Sequence, residues 1–333
     1  MSEAPCILVL NRIAHPLVRD LMPGAEFLVV PAAPEPQIPP GAESRISAIM
    51  ARLPGEVRAE TIARLPKLRV ISAAGVGLQN IDIPAATRAG VVVVNHPGHG
   101  FLSVAEHAVG LILALSRRIV EIDGHLRRDG WHARDHFLDR VSDRYGTVLF
   151  GQRLGIAGLG HVGLHAARIC RLGLGMDVSA YSPSVAEAVF QEHGIRRAAT
   201  MTELCATADV LLLAAAYRAG RPPLLAAAEL AVMKPTALLI NVARGGLVDQ
   251  PALVAALQTG RLAGAGLDVF DPEPPPADCP FFDMENVVLT PHVAGPSLYS
   301  ALGLARSNAE QVLAVLAGRR PPHVVNPEVY DRG

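Results

Sequence analysis

Residues 154–169, LGIAGLGHVGLHAARI, set the tightest limit on what this chain can become. An apolar strand ending at Ala157 runs through Gly158, Gly160 and Gly163, in GxGxxG spacing, into a helix that contains Ala166, Ala167 and Ile169. Gly158 permits a tight turn, Gly160 lets the backbone approach a ligand, and Gly163 allows the helix to pack closely on the strand. Free N–H groups at the helix start attract an anion. Glycines at any tight strand-to-helix turn would look alike singly, but strand, spacing and helix together point to the pyrophosphate of a dinucleotide.

A carboxylate gripping the adenosine ribose is expected at the end of the next strand, about 20 residues on. Ser182 stands there, whereas Asp177 begins that strand and lies at the wrong edge of the sheet. A 2′-phosphate therefore meets no repulsion at Ser182, and Arg196 or Arg197 would have to fold back to attract it. NAD and NADP both stay open, with a tilt to NADP.

The same alternation fills the rest of the chain. Strand candidates at 7–10, 27–30, 48–51, 68–73 and 91–94 precede the motif, and others at 153–157, 177–181, 209–214, 237–241, 264–269 and 286–289 form its sheet. With 50% hydrophobic, 18% charged and 4% aromatic residues, the composition suits buried parallel sheets wrapped by helices. The 333 residues favour two α/β domains sharing a cleft. Ser103 and Glu106 have the spacing of a capping box ahead of the apolar run 108–115. Residues 130–151 read as a polar connecting loop. The last helical pattern, 301–316, has no strand after it and is expected to cross back to the first domain. The boundaries are then 1–100 with 297–333 for the substrate domain and 101–296 for the cofactor domain.

Thirty Lys plus Arg against 31 Asp plus Glu leave no field to draw nucleic acid or an anionic membrane. Cys6, Cys170, Cys205 and Cys279 form no CxxC pair, so no disulfide framework or metal site is expected. The apolar runs are too short for a signal-peptide core or a membrane span, and a cytoplasmic location follows as an expectation.

Arg244 in NVARGGLVD, Glu273 in GLDVFDPEP and His292 in LTPHVAG each follow a strand of the second domain, where parallel sheets place ligands. Singly, they are a surface cation, a solvated carboxylate and a structural imidazole. Together they supply what reduction of a 2-oxo acid needs: a cation for the carboxylate, a proton donor for the carbonyl oxygen, and a carboxylate that keeps the donor protonated.

The sequence resembles the D-isomer-specific 2-hydroxyacid dehydrogenases, a family that includes glyoxylate and hydroxypyruvate reductases. The motifs are AAGVGLQNID (73–82), Asn95-x-Pro97 to SVAEHAVGLILAL, GLGHVG, MKPTALLINVARGGLVDQPALVAAL, GRLAGAGLDVFDPEP and NVVLTPHVAG, in order along nearly the whole chain. The resemblance implies a Rossmann cofactor domain inserted in a flavodoxin-like substrate domain, both doubly wound parallel sheets, and hydride transfer between NAD(P)H and C2 of a small 2-oxo or 2-hydroxy acid. It assigns the substrate carboxylate and carbonyl to Arg244, the proton donor to His292 and its orientation to Glu273. Substrate amides are assigned to Val76 and Gly77, the pyrophosphate to His161 and Val162, the nicotinamide to the Ala243 and Arg244 backbone, and its carboxamide to Asp268. Glu106 is matched as well.

Departures are Ser182 and the stretch LLLAAAYRAGRPP, where Ala214 and Ala216 stand in the places of the family's usual His and Pro and make the adenosine wall smaller and less polar. The run 108–115 is apolar on every face, which suggests a homodimer built on that helix. The alternative reading is a dinucleotide-sensing, corepressor-like interaction protein on the same scaffold.

Overall fold

The computed structural model describes residues 4–11, 16–31, 33–52, 55–138, 146–218 and 220–332. It divides into two compact units, Met1–Gly100 with Pro296–Gly333, and Phe101–Gly295.

The first unit runs β1 (Cys6–Leu10), α1 (Leu17–Leu21), β2 (Glu26–Val30), β3 (Ile46–Ala51), α2 (Ala59–Ala63), β4 (Val70–Ala73), α3 (Ile83–Arg88) and β5 (Val92–Val94). Its strands pair in parallel in the order β2-β1-β3-β4-β5, the flavodoxin-like order. Ile7, Leu8, Ile49, Ile71 and Val93 are fully buried, as they must be where helices cover both sheet faces. Asp82 caps α3 by accepting the Ala85 N–H at 2.9 Å, with a proline in the first turn.

The second unit opens with α4 (Phe101–Ser116), α5 (Ile119–Asp129) and α6 (Ala133–Leu138). It continues with β6 (Arg153–Ala157), α7 (His161–Gly173), β7 (Asp177–Tyr181), α8 (Glu187–Glu192), β8 (Arg196–Arg197), α9 (Met201–Thr207) and β9 (Val210–Leu213). Then come α10 (Ala227–Val232), β10 (Leu238–Asn241), α11 (Gln250–Gln258), β11 (Gly264–Leu267) and β12 (Val287–Leu289). The parallel order β12-β11-β10-β9-β6-β7-β8 is doubly wound from β6 outward. The chain therefore reverses its direction of winding beside β6, the strand that feeds GLGHVG.

The closing helix α12 (Leu298–Leu316) belongs to the first unit. Arg69 donates to the Leu316 and Val315 carbonyls at 2.6 and 3.0 Å, supplying a cation and partners for the last turn. Ser72 donates to Asn308 Oδ1 at 2.6 Å, and Gln311 Nε2 donates to the Asn95 carbonyl at 2.9 Å. The neutral His96 ring lies in the same network against Ser72 and Ser307, its pKa pushed down to about 3 by burial and by the nearby His99 and His323.

Three expectations change. The backbone is already helical at Phe101, so Ser103 and Glu106 lie inside α4 rather than forming its cap. Within 130–151, Ala133–Leu138 is helical, and 139–145 fall outside the described residues. The apolar run on α4 is mostly covered by its own unit: Leu111 and Leu115 pack against Gly264 and Gly266 of β11, and Leu111 is 4% exposed. Exposed apolar side chains occur on α5 and the turn after it, at Ile119, Val120, Leu126 and Trp131, and elsewhere at Val148, Phe150, Leu172 and Leu298. All four cysteines are free and buried, and no described helix is long and apolar enough to cross a membrane.

Leu111→Ala should behave as a core truncation and lose about 2–5 kcal/mol of stability. Thermal unfolding checks this, and an unchanged melting temperature would return Leu111 to the surface.

Candidate active site

The turn after β6 is shaped by contacts that only hydrogen side chains permit. Gly158 has φ +98°, and a Cβ there would lie 2.5 Å from Ala215 Cα; one on Gly163 would lie 2.2 Å from the Gly158 carbonyl oxygen. Gly160, between them, faces open space. No side chain caps α7, so the N–H groups of its first turn, including those of His161 and Val162, are available to an anion. This cradle fits a pyrophosphate.

Ser182 sits buried at the end of β7. Arg197 does reach this loop, donating to the Ser182 and Val185 carbonyls at 3.1 and 2.9 Å, but it also pairs with Glu187 at 3.1 Å and stacks on Phe190. Ala214 and Ala216 follow β9, where Ala214 neighbours the GLGHVG turn and Ala216 is exposed.

Farther along the sheet, the loops after β10, β11 and β12 converge. A Cβ on Gly245 would fall 2.0 Å from the Phe270 carbonyl, so only glycine lets the Arg244 loop lie against the segment leading to Glu273. Asn241, 1% exposed, accepts the Ala243 N–H at 3.1 Å and donates to the Arg244 carbonyl at 2.9 Å. Asn241 thus fixes the backbone at Ala243 and at Arg244 itself, from which the guanidinium projects. Sequence reading passed over it, although a polar residue ending an apolar strand was the available signal.

Glu273 Oε1 accepts the Phe270 N–H at 3.0 Å, and Oε2 lies 2.8 Å from His292 Nδ1. Hydrogen bonding to Glu273 raises the His292 pKa; burial and the Arg244 charge oppose this, while the Glu273 and Asp268 charges add to it. Burial pushes Glu273 upward, but His292 and the Phe270 amide outweigh it and hold the carboxylate below its ordinary range. The pair therefore favours imidazolium beside carboxylate, leaving Nε2 as the free donor.

His292 has φ +53°, a left-handed conformation that costs about 1–3 kcal/mol and must be held by its surroundings. Asp268, 1% exposed, holds it. Oδ1 accepts from the Thr290 hydroxyl at 2.6 Å and the Val293 N–H at 2.8 Å, and Oδ2 accepts the Ala294 N–H at 2.9 Å. Oδ2 keeps one lone pair for a further donor such as a carboxamide.

Val76 and Gly77 lie in the loop after β4 of the other unit. Val76 is exposed, and neither backbone N–H has a partner among the described residues.

Residues 109–294 match the family described as D-isomer specific 2-hydroxyacid dehydrogenase, NAD binding domain. The chain belongs to that family. It is 37% identical over 325 residues to a D-3-phosphoglycerate dehydrogenase of Mycobacterium leprae, covering 97% of this chain and 59% of that protein. It is 36% identical over 282 residues to a glyoxylate reductase of Korarchaeum cryptofilum, covering 85% of this chain and 83% of that one. Against the phosphoglycerate dehydrogenases, then, the chain spans between half and three-fifths of their length. Among solved structures, the NADPH-dependent glyoxylate/hydroxypyruvate reductase of Sinorhizobium meliloti, in complex with NADP and malonate, superposes with TM-score 0.80 at 28% identity, covering 97% of each chain.

Because Glu273 raises the His292 pKa, Glu273→Gln should move the imidazole titration to lower pH, toward the ordinary value near ~6.5. NMR titration of the His292 ring reads this directly, and an unmoved midpoint would contradict the pairing.

Proposed function

We propose that the chain is an NAD(P)-dependent 2-oxo acid reductase, a D-2-hydroxyacid dehydrogenase of the glyoxylate or hydroxypyruvate type. The observation that carries this is the Glu273–His292 pair beside Arg244 at the carboxyl ends of a Rossmann sheet. A bound nicotinamide would supply the hydride to C2. Arg244 binds the substrate carboxylate and carbonyl oxygen, and His292 Nε2 gives its proton to that oxygen as charge develops there. Glu273 keeps the imidazolium oriented and charged. Val76 and Gly77 are assigned to the substrate carboxylate through their amides, and His161, Val162, Gly158, Gly160 and Gly163 to the pyrophosphate. The Ala243 and Arg244 backbone is assigned to the nicotinamide, and the remaining lone pair on Asp268 to its carboxamide.

Ser182, with no carboxylate against the ribose, supports NADP over NAD, as does the NADP bound by the Sinorhizobium meliloti relative. The Glu187 carboxylate on Arg197 weakens that preference, since this cation is already paired.

Initial rates with glyoxylate, hydroxypyruvate, pyruvate and 3-phosphohydroxypyruvate, each with NADH and NADPH, test the proposal. Turnover of any of them also separates an enzyme from a corepressor-like sensor. His292→Ala should lose kcat by about 10²–10⁴-fold with cofactor affinity nearly unchanged. Near-normal turnover would remove His292 from the chemistry.

Ser182→Asp should shift preference toward NADH. A wild-type preference for NADH of tenfold or more would overturn the inference from Ser182.

A homodimer is proposed through the exposed apolar residues of α5 and the following turn, where Trp131 is 76% exposed. Light scattering should give the mass of two chains for the wild type and of one chain for the variant carrying both Leu126→Asp and Trp131→Asp. A wild-type mass of one chain across a wide concentration range would sink the idea.

A further inference from the structure

The Thr290 hydroxyl has one proton, and it goes to Asp268 Oδ1 at 2.6 Å. Its oxygen is therefore an acceptor toward His107 Nε2, 2.9 Å away, which fixes the proton of the His107 ring on that nitrogen. His107 projects from α4, and its Nε2 lies 3.8 Å from Asp268 Oδ1. Asp268 in turn reaches the loop of His292 at four points: the Thr290 hydroxyl, the Val293 and Ala294 amides, and its own carbonyl, which accepts the His292 N–H at 2.8 Å.

We propose that His107 is a positioning residue for the proton donor: through Thr290 and Asp268 it ties the left-handed loop of His292 to the 16-residue helix α4, so that the imidazole meets Glu273. This rests on His292 being the proton donor. Ala105, Ala108, Leu111 and Ile112 are buried along α4, so the helix is anchored by packing on the core of its unit. A fixed acceptor alone would leave Thr290 free to rotate its hydroxyl away from Asp268. The His107 N–H occupies one of the hydroxyl's two lone pairs and disfavours every rotamer that would turn the proton toward His107, which biases it to Asp268. Without that constraint the carboxylate keeps its two amides but loses its shortest hydrogen bond. His292 then samples geometries in which Nδ1 leaves Glu273.

The test compares wild type with His107→Phe, His107→Gln and Thr290→Val. The first keeps a ring without a donor, the second keeps an N–H near the position of Nε2, and the third keeps the shape of Thr290 without its hydroxyl. The His292 ring is followed by NMR titration, assigned from the signal lost in His292→Gln. In parallel, steady-state reduction of glyoxylate and hydroxypyruvate is measured with NADH and NADPH. His107→Phe and Thr290→Val should each lower the His292 midpoint by about half a pH unit or more, because the charge of Glu273 is then less often in contact. Both variants should also lose kcat by about 10–100-fold, since small misplacements of a catalytic group cost rate on that scale. The KM for cofactor should hold within a factor of about two, and His107→Gln should recover most of both losses.

A His292 midpoint equal to wild type in both His107→Phe and Thr290→Val, with only a fall in melting temperature, would make His107 a packing residue and overturn the proposal. A rise in cofactor KM with the midpoint and kcat unmoved would overturn it too. If the wild type reduces no 2-oxo acid, the functional proposal falls, and the NMR midpoints still decide the role of His107.

Discussion

The carboxylate of Asp268 is the constraint around which the carboxyl edge of the second unit's sheet is arranged. It is almost completely buried at the end of β11, with no arginine or lysine against it among the described ion pairs. A buried charge in that position is tolerable only if hydrogen-bond donors surround it. The nearest donors belong to the loop after β12, so satisfying Asp268 dictates the path of residues 290–294. That path requires a left-handed residue at 292, and the residue there is the histidine. The strained backbone at His292 and the placement of its imidazole thus follow from one desolvated group, while Glu273, held by the Phe270 amide, meets the ring from the neighbouring loop.

Parallel pairing explains why the other parts of the site are nearby. With all seven strands running one way, every loop after a strand opens on the same edge, and the reversal of winding beside β6 leaves room there for the GLGHVG turn. Glycine then decides how closely the loops approach one another. Gly163 lets α7 seat on the Gly158 carbonyl, and Gly245 seats the Arg244 loop on Phe270. Arg244, Glu273 and His292 come from three separate loops, and close backbone approach brings them into one electrostatic group.

The first unit solves a different problem. Its closing helix carries Ser307, Asn308 and Gln311 on the buried side, where a purely apolar stripe would be simpler. These side chains are satisfied by Ser72, Asn95 and His96 from the ends of β4 and β5. Burial holds His96 neutral, so the network binds α12 to the sheet through hydrogen bonds with no ion pair. Each partner is specific in direction, which gives the helix one register on the sheet where apolar packing alone would tolerate several.

Residue order alone determined the alternation of strands and helices, the dinucleotide turn and the three ionisable loop residues. Each of those signals is local: an apolar run, a glycine spacing, or a charged residue after a strand. The two-residue β8 was invisible because Arg196 and Arg197 have no apolar pattern, and the start of α4 was misplaced because a capping-box spacing also occurs inside helices. Only tertiary structure decided that α4 is covered by β11 and that α5 and the turn just beyond it carry exposed apolar side chains. It also decided that Asn241 braces Arg244 and that His107 meets Thr290 across 183 residues of chain, as Ser72 meets Asn308 across 236. Periodicity reports which face of its own element a side chain occupies, but a hydrogen-bond partner is chosen by how elements cross, and that crossing is set by the packing of the whole unit.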